Sequence, residues 1–363
     1  MSRFSRIDRV VDVLKERGFD YLMVGPSADL TYLTGLEPVA DERFKSLLVA
    51  ADGGHFAIAP RLCKEEFEDE LAPDIPVYVW DDSDGPSGTV GGAFREHAVS
   101  GRTVALNDGV RAIDVLYMTG EFGVRLADGG GIAPGLRLIK SPEEIDCQHA
   151  VGRMADEVLY ALEKYIKPGL TERDIQIRLR DEFESRGGDR VTWVIGSGPN
   201  GALPHNTRSD RVVGERDIII VDFGARHRGY RSDTTRTFVV GEPTDEQRRV
   251  YGIVLEAHLA AEAAVRPGVR ACDVDRAARG VIERAGYGEY FNHRTGHGIG
   301  IVVHEQPNIM ESNKTVLRVG MTFSIEPGIY LPGKFGVRIE NCVEVTESGA
   351  VPFTRYPREL RVI

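Results

Sequence analysis

Hydrophobic positions in the first 130 residues follow helix and strand periods in alternation. Apolar side chains recur at helical spacing between Ile7 and Leu14, and a glycine soon afterwards ends the predicted helix. A strand is predicted at 21–24, and the segments on either side of Asp52-Gly53-Gly54 form a predicted β-hairpin. This alternation predicts an N-terminal α/β domain with a mixed sheet, over residues 1–135.

A second pattern begins shortly after this domain. Ser141 and Glu144 form a capping box with a proline between them in the first turn, which predicts the start of a long helix. Two similar helix junctions follow, Pro168-Gly169-Leu170 and Pro267-Gly268-Val269, which begin 99 residues apart. An apparent hairpin with two carboxylates lies downstream of each junction. The repeat predicts two related halves within a second domain, residues 141–363.

The two hairpins place four acids in apolar surroundings. Asp222 interrupts an apolar strand and Asp233 lies on the return strand, equidistant from the predicted turn, so the two are expected to be cross-strand neighbours. Glu326 and Glu340 are placed in the same way about Gly333. Clustered, buried carboxylates repel one another, and a bound cation removes that cost. Taken alone, Asp222 has a structural alternative: it pairs with Arg226, Arg228 or Arg231 of its own hairpin, or it marks a turn.

One histidine lies in a setting suited to a metal ligand. His297 stands in Gly296-His297-Gly298-Ile299-Gly300, where glycines allow close backbone approach. His293 and His297 have the i, i+4 spacing of helical zinc sites, but the glycines disfavour a helix. Arg294 also occupies the place where that motif has glutamate, so the motif is rejected. Four carboxylates and a histidine instead match a site for hard or borderline divalent metals.

A glycine-rich segment invites a nucleotide-binding interpretation. Gly196-Ser197-Gly198-Pro199-Asn200-Gly201 fits a dinucleotide loop, but Pro204 follows too soon for a helix N-terminus to hold a pyrophosphate. A loop that presents His205 to a substrate is the better interpretation.

Composition narrows the function classes. A formal net charge of −11 and a pI near 5.4 argue against a nucleic-acid partner, because such partners require basic surfaces. The four cysteines form no Cys-x-x-Cys motif, which fits a reducing compartment. The apolar runs are too short to span a bilayer. A cytoplasmic protein that does not bind membranes is therefore expected.

Seven ordered motifs resemble those of the metallopeptidase family that contains prolidase, aminopeptidase P and methionine aminopeptidase. They are Pro204-His205-Asn206, Val221-Asp222-Phe223-Gly224, Ser232-Asp233-Thr234-Thr235-Arg236-Thr237, Gly296-His297-Gly298-Ile299-Gly300, Val303-His304-Glu305, Ile325-Glu326-Pro327-Gly328 and Arg338-Ile339-Glu340-Asn341. The resemblance covers residues 141–363 and implies the pseudo-twofold pita-bread fold. The preceding α/β domain is similar to that of the prolidase and aminopeptidase P branch.

The resemblance also implies a ligand set. Asp233 and Glu340 would bridge two divalent ions (manganese, cobalt or zinc), Asp222 would complete the shell of one ion, and His297 and Glu326 would complete the other. A water activated by the ions would attack the scissile carbonyl, and Glu326 would carry its proton to the leaving nitrogen.

The remaining site residues follow from the same resemblance. His205 and His304 would hold the substrate and stabilise the oxyanion. Arg338 would orient Glu340, contact a substrate carboxylate, or form a plain salt bridge.

The implied function is hydrolysis of the Xaa-Pro bond of dipeptides by a homodimer. The alternatives are an aminopeptidase P that acts on longer Xaa-Pro peptides, a hydrolase of another small amide, and a catalytically inactive binding module. The complete ligand set argues against the last of these.

Overall fold

A computed structural model describes residues 3–363, with side chains from residue 5 onwards. The chain forms two compact units, Met1–Arg137 and Leu138–Ile363. Across the residues described, no helix has the length and apolar character needed to cross a membrane.

The first unit is built on a six-stranded sheet in the order β4-β3-β2-β1-β5-β6. The strands are β1 (Tyr21–Val24), β2 (Ser46–Ala50), β3 (Phe56–Pro60), β4 (Val77–Trp80), β5 (Thr103–Leu106) and β6 (Arg125–Asp128). The pairs β1–β2 and β2–β3 are antiparallel, and the other pairs are parallel. The mixed sheet predicted from the sequence is therefore confirmed, including the hairpin at residues 52–54.

The helices of the first unit are α1 (Arg3–Arg17), α2 (Ala28–Thr34), α3 (Lys64–Leu71), α4 (Ser87–Glu96), α5 (Ala112–Phe122) and α6 (Ile132–Arg137). A hydrophobic core between sheet and helices contains Met23, Leu48, Ile58 and Phe94, which are at most 1% exposed.

The second unit contains four long helices in two pairs: α7 (Pro142–Tyr165), α8 (Glu172–Glu184), α9 (Asp245–Ala264) and α10 (Ala271–Arg284). The predicted capping box at Ser141 is present, with Glu144 bonding back to the Ser141 backbone. Thr171 and Thr244 cap α8 and α9 in the same way. These side chains satisfy N–H groups that the first turn of a helix leaves without partners.

The helices pack on a strongly curved sheet whose main path is β12-β11-β13-β16-β10-β8-β7. Its strands are β7 (Asp189–Ser197), β8 (Ile218–His227), β9 (Tyr230–Arg231), β10 (Thr234–Val239), β11 (Gly296–Gly298), β12 (Glu305–Ile309), β13 (Thr322–Ile325), β16 (Glu340–Thr346), β17 (Gly349–Pro352) and β18 (Arg361–Val362). A separate two-stranded hairpin consists of β14 (Gly328–Leu331) and β15 (Phe335–Arg338).

The internal repeat is visible in the backbone. Gly169 and Gly268 have nearly the same left-handed φ, 92° and 89°. Each donates its N–H over 2.9 Å to the carbonyl oxygen of a residue that follows an isolated β-bridge, Val213 in the first copy and Leu317 in the second. These matched junctions confirm the two related halves expected of the pita-bread fold, in which a helix pair from each half covers one sheet.

Strand alternation decides where the acids point. In β8, Val221 and Phe223 belong to the core beneath α7 and α8, and in β13 Phe323 and Ile325 belong to the core beneath α9 and α10. Successive side chains of a strand face opposite sides of the sheet. Asp222 therefore projects from the face away from the helices, as do the acids of the second half.

Candidate metal centre and substrate cavity

The register of the first acidic hairpin differs from the prediction. Asp222 pairs with Thr235, so Asp233 lies diagonally to Asp222 instead of directly opposite it. The turn is formed by Arg228 and Gly229, which both have positive φ, and this shifts the pairing by two residues. The prediction of direct neighbours was wrong, but a two-residue shift keeps both acids on the same face of the sheet.

The second acidic hairpin has the predicted register. Ile325 pairs with Asn341, and Gly328 pairs with Arg338, so Glu326 and Glu340 face each other where the hairpin opens into the larger sheet. Counting residues outward from the turn at Gly333 was therefore sufficient to predict this register.

The two hairpins and the His297 segment converge on one cavity of about 240 Å³. Ligand atoms of Asp233, His297 and Glu340 lie within 4.8 Å of one another. The Nε2 atom of His297 is 3.2 Å from Glu326 Oε1 and 3.6 Å from Asp233 Oδ2. All five residues predicted as ligands line this cavity.

Glycines let the His297 strand enter the site. A Cβ atom at Gly296 would lie 1.8 Å from the carbonyl oxygen of Ser324, so no other residue fits without displacing the neighbouring strand. The His297 backbone N–H donates to Ser324 Oγ over 3.0 Å. The ring nitrogen Nδ1 lies 3.1 Å from the carbonyl oxygen of Gly298, which leaves Nε2 directed at the carboxylates.

Burial raises the pKa of Asp222, Asp233 and Glu340, and the last two have no arginine partner among the described residues. Burial raises the pKa of Asp233, and the charge of Asp222 raises it further. Burial also raises the pKa of Glu340, followed by the charge of Asp233. Glu340 Oε2 accepts a hydrogen bond from Thr235 over 2.7 Å, whereas its buried Oε1 has no partner. A buried acceptor without a donor is costly, and a cation would satisfy it.

The other two acids have fixed partners. Burial would raise the pKa of Glu326, but its hydrogen bond and ion pair with His297 lower it to about 2. Arg338 is 3% exposed and forms a salt bridge with Asp222. This pairing contradicts the alternative in which Asp222 pairs with an arginine of its own hairpin, where Arg226 instead pairs with Asp189.

Arg338 has its donors engaged within the protein. Besides Asp222, it donates to Tyr330 Oη over 2.7 Å, to Thr235 Oγ1 over 3.2 Å and to the Pro204 carbonyl over 3.4 Å. Of the three options derived from the sequence, the salt bridge is the contact observed.

The two further predicted histidines also line the cavity. The ring of His304 meets the ring of His297 edge to face, with 4.3 Å between centroids. Burial, followed by the charges of His297 and Arg294, lowers the pKa of His304 to about 4, so this ring is neutral near pH 7. His205 lies on an exposed loop at the mouth.

Sequence reasoning missed several residues that line or support the cavity. Trp193 and Val303 supply apolar surface, and Arg294 supplies a second cation. His293 Nε2 lies 2.9 Å from Tyr330 Oη, which links the histidine to Arg338. His293 and Arg294 lie close to His297 in the sequence, and this proximity could have placed them at the cavity. They were considered only as part of a helical zinc motif.

Comparisons with known proteins agree with this geometry. A profile of metallopeptidase family M24 matches residues 146–347, and a profile of the creatinase/prolidase N-terminal domain matches residues 6–139. A probable dipeptidase PepE of Mycobacterium tuberculosis is 40% identical over 96% of this chain and 93% of its own. An Xaa-Pro dipeptidase of Lactobacillus helveticus is 36% identical over 98% of both chains. The crystal structure of a prolidase from Thermococcus sibiricus superposes with a TM-score of 0.95, at 38% identity and full coverage of both chains.

Proposed function

Because this chain belongs to metallopeptidase family M24, we propose that it is a metal-dependent peptidase that hydrolyses the Xaa-Pro bond of dipeptides. The names of its relatives, which include an Xaa-Pro dipeptidase and a prolidase, support this substrate class. The observation that carries the proposal is the convergence of four carboxylates and a histidine on one small cavity. This set of ligands argues for a catalyst over an inactive binding module.

The ligands fit two divalent ions. Asp233 and Glu340 would be the shared ligands, because neither pairs with an arginine or lysine among the described residues and the buried Oε1 of Glu340 has no hydrogen-bond partner. Asp222 would complete the shell of one ion, and His297 and Glu326 would complete that of the other. Manganese, cobalt and zinc all suit this mixture of oxygen and nitrogen ligands. When bound, such ions lower the pKa of water and polarise a carbonyl group.

The chain's own groups supply the proton transfers and orientation. Glu326 would accept a proton from the attacking water and pass it to the leaving nitrogen, because its carboxylate lines the cavity beside His297. His304 is neutral and offers an N–H to the developing oxyanion. His205 holds the substrate from the mouth of the cavity. Arg338 is assigned to fixing Asp222, because its donors are already engaged.

Cavity size favours a short substrate. About 240 Å³ lies below the ~300–1,000 Å³ typical of pockets for drug-sized ligands. One observation favours the second candidate, an aminopeptidase P: a neighbouring cavity of about 530 Å³ shares Pro204, His205 and His293 with the first. That space would accept residues beyond the proline of a longer peptide.

A substrate panel tests the proposal. Metal-depleted protein is reconstituted with manganese, cobalt or zinc and assayed on an Xaa-Pro dipeptide, its C-terminal amide, an Xaa-Pro-Xaa tripeptide and a small amide without proline. The dipeptide should be cut fastest, and only with metal present. Faster cleavage of the tripeptide would assign the protein as an aminopeptidase P. Full activity in chelator would refute the metal mechanism.

Three broader proposals accompany this function. Residues 1–135 and 141–363 act as separate domains, in line with the two profile matches. The protein is a homodimer, since α5 exposes Ile113 and Leu116 on one face, 64% and 68% exposed. It works in the cytoplasm, which suits four cysteines that are all unpaired.

A further inference from the structure

The segment between β7 and β8 presents His205 at the mouth of the cavity without fixing its ring directly. His205 lines the metal cavity and also its larger neighbour. The residue is exposed and lies outside the helices and strands, and among the described residues its ring has no hydrogen-bond partner. The position of the ring therefore depends on how the backbone around His205 is held.

A buried carboxylate, that of Glu172, contacts this segment at several points. Glu172 is the first residue of α8 and is 0% exposed. Its Oε1 accepts hydrogen bonds from the backbone N–H and the Oγ of Ser197, over 2.7 and 2.8 Å. Its Oε2 accepts from Asn200 Nδ2 over 3.0 Å and from Asn206 Nδ2 over 3.5 Å. One carboxylate thus connects the end of β7 to the residue that directly follows His205.

Asn206 links Glu172 to the backbone beside His205. The asparagine is 5% exposed, and its Nδ2 also donates to the carbonyl oxygen of Ile195 over 2.7 Å. Its Oδ1 accepts from the backbone N–H of Arg208 over 3.1 Å, so both ends of the amide are held. A shift of this side chain would therefore move the backbone that carries His205.

The glycine-rich segment 196–201 brings the donors to one point. A Cβ atom at Gly196 would lie 2.9 Å from the carbonyl oxygen of Asn200, and one at Gly201 would lie 3.0 Å from the carbonyl oxygen of Gly196. The chain folds back here more tightly than larger residues allow. Ser197 and Asn200 can consequently reach the same carboxylate.

The helix does not need Glu172 as a cap. Thr171 and Asp174 already form the capping box of α8. An acid in the first turn interacts favourably with the helix dipole, but an exposed side chain can do the same. Glu172 forms no ion pair among the described residues, and burial of a charge without hydrogen bonds or a partner is costly. Its hydrogen bonds from the His205 segment offset that cost, so the acid and the segment depend on each other.

We propose that Glu172 is a positioning residue, which holds the backbone around His205 so that the ring reaches the substrate. This inference rests on the proposed peptidase function and on the contact with substrate assigned there to His205. Glu172 itself touches neither the substrate nor the metal ligands. Its effect on hydrolysis should therefore disappear when the histidine is removed.

A double-mutant cycle on the metal-loaded, full-length protein tests this dependence, with Ala-Pro as substrate. In Glu172→Gln the amide oxygen must accept from the Ser197 N–H, which turns the NH₂ group towards the donors of Asn200 and Asn206. We expect kcat/KM to fall at least about fivefold in Glu172→Gln, and at least as much in His205→Ala. Adding Glu172→Gln to His205→Ala should change kcat/KM by less than about twofold, whereas independent sites would multiply their losses.

Amide hydrogen exchange gives a readout that does not depend on activity. Glu172→Gln should speed exchange in residues 197–208 by roughly tenfold and leave the later turns of α8 at the wild-type rate. Ser197→Ala removes one donor but keeps the carboxylate, so it should show the same effects to a smaller extent. Asp174→Asn is the matched control, because it removes the other acidic charge of the same helical turn, keeps an oxygen for the cap and does not contact the segment. Its kinetics and exchange should match those of the wild-type protein.

Several results would overturn the proposal. These are a loss in the double variant that equals the product of the single losses, wild-type kinetics in His205→Ala, and unchanged exchange of residues 197–208 in Glu172→Gln. Faster exchange throughout the second unit would also overturn it, by showing that Glu172 stabilises the whole unit. If the wild-type protein cleaves no Xaa-Pro peptide but Glu172→Gln still speeds exchange only around His205, the positioning is supported and the proposed function is contradicted.

Discussion

The buried acids that would bind the metal ions should lower the stability of the metal-free protein. Replacing Glu340 with glutamine tests this expectation. Ligand atoms of Glu340, Asp233 and His297 lie within 4.8 Å of one another. At that separation two like unit charges repel by about 3.5 kcal/mol at an effective dielectric constant of about 20. Proton uptake already relieves part of this repulsion, so we expect Glu340→Gln to stabilise the metal-free protein by about 1–3 kcal/mol.

In excess metal ion, the wild-type protein should become more stable than Glu340→Gln. The glutamine keeps an oxygen that can accept from Thr235, so the substitution removes a charge without removing that hydrogen bond. Wild-type protein gains about 2.7 kcal/mol from a metal ion supplied at one hundred times its dissociation constant, whereas the variant should gain little. Glu340→Gln should also abolish hydrolysis.

Urea unfolding in chelator and in excess metal ion measures both effects. Glu344→Gln provides the matched control, because it makes the same change on the same strand outside the cluster. It should leave the metal-dependent gain intact. A metal-free Glu340→Gln variant that is less stable than wild type would refute the repulsion argument.

Three further predictions concern the rest of the molecule. Gly296→Ala should lower the free energy of unfolding by about 1–3 kcal/mol or more and weaken metal binding, because the new Cβ would lie 1.8 Å from the carbonyl oxygen of Ser324. Gly252→Ala is the control: its Cβ would enter open space on α9, so it should be neutral or stabilising in the same unfolding assay. Burial lowers the pKa of His258, so below about pH 6.5 the unfolded chain binds a proton that the folded chain does not, and stability should fall as the pH drops. His258→Gln should make the stability measured by urea unfolding less dependent on pH in this range. Leu116→Glu should convert a dimer to monomer in sedimentation experiments without loss of bound metal; an unchanged dimer would place the interface elsewhere.

Features fixed by short-range interactions were predictable from the sequence. The capping box at Ser141 involves residues three apart, so the start of α7 could be located without knowledge of the rest of the chain. The hairpin register at Glu326 and Glu340 was also predictable, because one glycine turn lies between them. The register at Asp222 was not, because the position of the turn depends on left-handed backbone at Arg228 as well as Gly229.

Contacts between distant segments were beyond the sequence pattern. Arg338 pairs with Asp222 across 116 positions, and periodicity cannot single out that partner from three nearer arginines. The same applies to Arg294, whose place on the cavity wall follows from the fold of the segment before His297. Residue type and position in the repeat identified the candidate ligands. The structure was needed to show which of these charges already have partners.

The division of charge compensation explains why the bridging role is assigned to two particular acids. Arg338 offsets Asp222 with a fixed charge, whereas His297 offsets Glu326 only in the metal-free protein, because its Nε2 atom must be unprotonated to bind a metal ion. Asp233 lies 3.6 Å from the same His297 atom, Glu340 has no ion pair among the described residues, and burial among like charges raises the pKa of both acids. A chain that buries four carboxylates and pairs one of them with an arginine leaves the remaining charge to exchangeable ions. The cost of burying that charge in the metal-free fold is therefore also the source of metal affinity, and a substitution that removes the cost should remove the affinity with it.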